Sequence, residues 1–164
     1  MLSLSRGTIL KCRFPFEDSP NSPGPAFHYC QFSTAIKVPG VSDHLIVAYG
    51  TSRLDDALLD TQGHKHGVLS VSSNFIKGTM PGSVTHFVAR HIAVVPAAWV
   101  DQRFNARLDF IRLESRKDQY RRQLFQQFEA FEHAMDEASE ALYIEFLKTG
   151  KPGLAPGSNL RHKR

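Results

Sequence analysis

The run Gly7-Thr8-Ile9-Leu10-Lys11-Cys12-Arg13-Phe14-Pro15-Phe16 sets the character of the first hundred residues. From Thr8 to Phe14 its β-branched and apolar residues partly alternate, and they stop at Pro15, the pattern of a strand closed by a residue with no ladder N–H to donate. Residues 17–25 hold three prolines and a glycine, which leaves little scope for regular pairing. Two further strands are expected over 27–38 and 44–49, joined across Pro39-Gly40-Val41-Ser42-Asp43 as a hairpin. The segment 54–60 suits a short helical turn or loop, and 67–71 and 84–95 read as later strands. Short strands punctuated by Gly and Pro favour a barrel or sandwich.

Beyond Pro96-Ala97-Ala98-Trp99 the texture changes. From Leu113 to Lys148 there is neither Gly nor Pro and helix formers dominate, so this is one long helix. Tyr120, Leu124, Phe128, Phe131, Met135, Ala138, Leu142 and Phe146 recur at steps of four and three along one face. A helix of this length spans roughly 54 Å, more than a small barrel is wide, so part of the stripe is expected to overhang and meet a second protein. Tyr120, Leu124, Phe128, Phe131 and Met135 are the candidate partner contacts, and a homodimer or hetero-complex through the helix is the expected assembly. The domain reading is a β-barrel over 1–104, the helical region over 105–148 and a disordered basic tail over 149–164, ending in Arg161-His162-Lys163-Arg164.

The 164 residues are 41% hydrophobic and 22% charged, a balance that supports one packed core and excludes wholesale disorder. No apolar run reaches the roughly 18 residues of a membrane helix and the first residues lack an apolar signal core, so a cytoplasmic protein without membrane partners is expected. Cys12 and Cys30 lack neighbouring Cys or His ligands and read as reduced core residues on strands. The net charge of +4 is unevenly placed: +3 over 1–112, −3 over 113–148 and +4 over 149–164. The acidic second half of the helix disfavours RNA there.

Four features in order make residues 6–104 resemble the MazF/PemK toxins of toxin–antitoxin systems. They are Gly7-Thr8-Ile9-Leu10 leading to Phe14-Pro15-Phe16, a Pro/Gly loop into Phe27-His28-Tyr29-Cys30, Val47-Ala48-Tyr49-Gly50-Thr51-Ser52, and Thr85-His86-Phe87 leading to Val95-Pro96. The resemblance implies an SH3-like barrel, here followed by the long C-terminal helix, in a mainly β protein. It also implies metal-independent, cofactor-free cleavage of single-stranded RNA, often by a homodimer and under the control of an antitoxin. Such chemistry needs a base, a positive group for the phosphorane charge and a donor that positions the phosphate. Thr51 matches the family's hydroxyl, and His28 stands where the family has Arg, with Tyr29 in place of Pro, so the permanent guanidinium charge is missing. His28 and Thr51 are therefore the candidate catalytic residues.

Ser52, Arg53, His64 and Lys65 are the candidate substrate contacts, although His64-Lys65-His66 lacks the Cys, Asp or Glu spacing of a metal site. His86 and His91, at odd separation on one strand, are expected to face opposite sides and not to share a site. Two function classes follow: a weak endoribonuclease or single-stranded RNA binder, and a non-catalytic interaction module that docks a protein through barrel and helix. A third, a DNA- or gyrase-directed relative, rests on fold alone.

Overall fold

A computed structural model describes residues 4–41, 43–53, 67–76 and 82–155. Seven strands precede or flank one long helix: β1 (Ile9–Cys12), β2 (His28–Ile36), β3 (His44–Thr51), β4 (Val68–Ser72), β5 (Val84–Pro96), β6 (Val100–Ala106), α1 (Gln119–Thr149) and β7 (Gly153–Leu154). The strands form one antiparallel sheet in the order β4-β5-β3-β2-β1-β6, with β7 added to β5. The molecule is thus mainly β with a C-terminal helix, as its sequence pattern led us to expect. The β2–β3 hairpin turns through Gly40, whose φ of 81° suits glycine, with Val41 N–H donating to the Val38 carbonyl.

The hydrogen-bonded path is open, but the chain forces the sheet to curl. β5 ends at Pro96 and β6 begins at Val100, yet β3, β2 and β1 lie between them in the sheet. In a flat sheet four strand spacings would separate them by at least ~19 Å. Four residues of chain reach no more than ~14 Å. The sheet must therefore bend round to bring the start of β6 back to the end of β5, a barrel-like course assisted by extra residues in β2, β5 and β6 where the ladders shift register. Both faces are buried. Leu10, Cys12, Cys30, Phe32, Leu45, Val47, Ala93 and Val95 form one apolar cluster with Phe14 and Val100. Their alternating neighbours Ile9, Ile46, Ala48, Ile92 and Val94 pack into a second with the helix.

α1 starts where Asp118 caps it, accepting from Arg121 N–H, and stops at Gly150, whose φ of 65° is left-handed. The expected helical region of 105–148 is corrected here. β6 carries the sheet to Ala106, and the segment to Asp118 includes a single 3-10 turn at Leu113–Ser115 before the helix begins at Gln119. The expected overhang is corrected as well. Leu124, Phe128, Phe131 and Met135 are 6%, 3%, 0% and 0% exposed, all covered by the chain itself. The helix finds enough surface because the sheet is extended at both of its ends. Phe110 meets Phe128 and Phe75 meets Tyr120 at one end, and His44 lies 4.7 Å from Phe146 at the other. Midway, the buried hydroxyls of Ser33 and Ser139 lie 3.4 Å apart. Tyr120, at 57%, stays exposed.

The tail expected from 149 is also corrected in its first residues. Gly153 and Leu154 pair with Val94 and Ala93, and Ala155 N–H donates to the Ile92 carbonyl at 2.9 Å. Among the described residues no helix is long and apolar enough to cross a membrane.

Candidate functional site

Register brings the two residues singled out for catalysis to one end of the sheet. Cys30 pairs with Tyr49 and Gln31 with Ala48, and the same register continued by two residues sets Thr51 beside His28. On the far side Thr51 pairs with His86, and His86 with Ser70 of β4. On the near side His28 pairs with Cys12 of β1. Side chains paired across neighbouring strands point the same way, so Cys12, His28, Thr51, His86 and Ser70 form a row across five strands.

Each member has a distinct environment. The His28 ring is half-buried between aromatic neighbours, 5.1 Å from Tyr49 and edge-on to Phe16 at 6.0 Å. Thr51, half-buried at the end of β3, accepts from Arg53 N–H at 3.1 Å, so its hydroxyl is oriented by its own turn. Ser52 and Arg53 are exposed beside it. His86 is buried, and its Nδ1 lies 2.6 Å from the Ser70 hydroxyl. Burial holds the His86 imidazole below its usual range, so it is neutral near pH 7. With Nδ1 engaged by Ser70, whose hydroxyl can donate or accept, the ring nitrogen left for other chemistry is Nε2.

The arrangement offers two imidazoles, two hydroxyls and one nearby guanidinium. Neutral His86 can take a proton, and Thr51 can donate to an anionic oxygen. His64 and Lys65 lie outside the described residues. The partner contacts Leu124, Phe128, Phe131 and Met135 belong to the core and not to a site. The sequence reading did not single out Ser70 and weighed His86 only against His91, because the meeting of Ser70 with His86 depends on how β4 pairs with β5. Strict alternation also fails along β5: Ala89 and Ile92, three apart, both pack on the helix side, so odd separation does not by itself separate His86 from His91. Among the described residues no group of three or more His, Cys, Asp and Glu could hold a metal ion. Comparison of the chain with protein-family models, curated proteins and solved structures finds no match.

Proposed function

We propose that this chain binds single-stranded RNA and cleaves it slowly, without a metal, at the row formed by His28, Thr51 and His86. The reading is carried by one observation, the pairing of a turn-oriented hydroxyl, Thr51, with the buried imidazole of His86 on the next strand. In the reaction the ribose 2′-oxygen attacks the adjacent phosphorus while His86 takes its proton. The P–O bond to the 5′-oxygen breaks, and that oxygen leaves with a proton from His28 or water. The products are a 2′,3′-cyclic phosphate and a 5′-hydroxyl. Thr51 donates to a non-bridging oxygen, and Arg53, exposed on the same turn, supplies a permanent positive charge.

The missing guanidinium at position 28 sets the expected rate, since loss of one preorganised group that stabilises transition-state charge lowers turnover about 10²–10³-fold. Cleavage of mixed single-stranded RNA in excess chelator tests the reading. Activity should fall at least tenfold in Thr51→Val, decline at acid pH as the buried His86 ring takes a proton, and rise in His28→Arg. A folded wild type with no cleavage under any of these conditions overturns it.

A second reading, a module that docks a protein such as an antitoxin or a second copy, is favoured by the outer face of α1. There Tyr143, Ile144 and Leu147 are 39%, 47% and 53% exposed. Sedimentation of wild type and Ile144→Glu separates the two readings: a complex that the substitution disperses supports the module.

A further inference from the structure

The other face of the same sheet end carries a second feature. Lys11 pairs with Tyr29, and β6 runs along the other side of β1, where the ladder shifts register between Leu10 and Cys12. Phe104 of β6, Lys11 of β1 and Tyr29 of β2 come together there as a row of side chains across the three strands. Their side chains meet: the two rings are 5.6 Å apart, and the Lys11 ammonium stands 4.7 Å from the Phe104 centroid and 5.5 Å from that of Tyr29. One step along the strands the Arg13 guanidinium lies 5.0 Å over the ring of Phe27, which is 45% exposed.

The geometry points to this surface as a stacking platform for unpaired bases of single-stranded RNA, with Phe27 and the Tyr29–Phe104 pair as the stacking faces and Lys11 and Arg13 as the phosphate contacts. The inference rests on the preceding reading for its choice of ligand and adds where that ligand binds. Three observations carry it. Phe27, just before β2, and Tyr29, its second residue, stand two apart in the chain, each with the cation of a neighbouring chain segment over its ring. Each aromatic group has a cation beside it, the pairing that single-strand binders use for base and phosphate together. The row itself contains no acidic side chain. His28 lies between Phe27 and Tyr29 in sequence and faces the opposite way, toward Phe16 and Tyr49. The platform and the candidate cleavage row thus share the start of β2 but lie on opposite faces of the sheet. Bases locked in a duplex cannot lie flat on these rings, so the platform selects unpaired strands.

The test is anisotropy with a fluorescein-labelled, twelve-nucleotide 2′-O-methyl RNA, which binds but cannot be cleaved, beside an abasic oligomer of equal length and a duplex. Cleavage of the unmodified RNA is followed in parallel. Wild type should bind the single strand about tenfold or more tighter than the abasic oligomer. Tyr29→Leu and Phe27→Leu keep apolar bulk but remove the π-face, and each should weaken binding about tenfold with the melting temperature unchanged. Lys11→Gln with Arg13→Gln should flatten the dependence of log Kd on log salt by about 1.4. If Tyr29→Leu fails to fold, exposed Phe27→Leu and the abasic oligomer carry the test.

Equal affinity for the abasic oligomer, or binding unchanged in both Leu variants, overturns the platform even if cleavage is observed. Tight binding to an acidic peptide and none to RNA overturns it too. Platform-dependent binding without any cleavage leaves the platform standing and sinks the nuclease reading alone.

Discussion

Gly50 occupies β3 against β2, where an added Cβ would lie 2.5 Å from the Tyr29 carbonyl oxygen, 2.9 Å from Thr85 and 3.0 Å from Phe87. Because the nearest atom is backbone, the strands themselves would have to part. Gly50→Ala should destabilise by about 2–3 kcal/mol, read as a lower denaturation midpoint. In the sequence Gly50 stands out only as part of the motif Val47-Ala48-Tyr49-Gly50-Thr51-Ser52. Its use is close approach of two strands, which no local pattern reveals. His86 makes a second prediction at this scale. Its folded pKa is lowered by burial, so above about pH 6.5 the ring is neutral in both states and its contribution to stability is fully present. As pH falls the unfolded chain takes the proton first, and stability is lost down through the lowered folded pKa. The gap in unfolding free energy between wild type and His86→Gln should shrink from pH 7 toward pH 5. A gap independent of pH would show that His86 does not titrate in this way.

At the scale of elements, α1 is core. The apolar spacing that made it a helix was plain in the sequence. The partner it serves was not, because an amphipathic stripe records only that something apolar covers it. Phe131 has no exposed surface, so Phe131→Ala should lose about 3–5 kcal/mol. Phe128→Glu with Phe131→Glu should abolish the cooperative unfolding transition, and a well-folded monomer would contradict this packing. β7 gives a prediction of the same kind. Ending the chain at Thr149 removes the strand on β5 and the Ala155–Ile92 hydrogen bond. It should cost about 2 kcal/mol, or ~4–8 °C in a chain of this size. A melting point that does not move would show that β7 is peripheral. Three residues between prolines carry too little pattern to announce a strand, and this one exists only because β5 offers it an edge.

For the whole molecule, the curl of the sheet decides what meets. The strands at Ile9–Cys12, His28–Ile36, His44–Thr51, Val68–Ser72 and Val84–Pro96 were legible because alternation, β-branching and the breaks at Gly and Pro are local properties of the chain. So was the long helix, since 3.6-residue periodicity without Gly or Pro suits no other regular element. Cys12 and Cys30 were legible as core residues, and both thiols are fully buried. Burial, together with the hydrogen bond to Cys12, raises the Cys30 pKa well above its usual value. What tertiary structure alone decided is every relation between distant segments. These include the Ser70–His86 hydrogen bond, Thr51 beside His28, the Phe104–Lys11–Tyr29 row and the helix closing on its own sheet. Periodicity specifies which side of an element is apolar. Strand order, register and bulges specify which side chains face one another, and those follow from packing the whole chain at once.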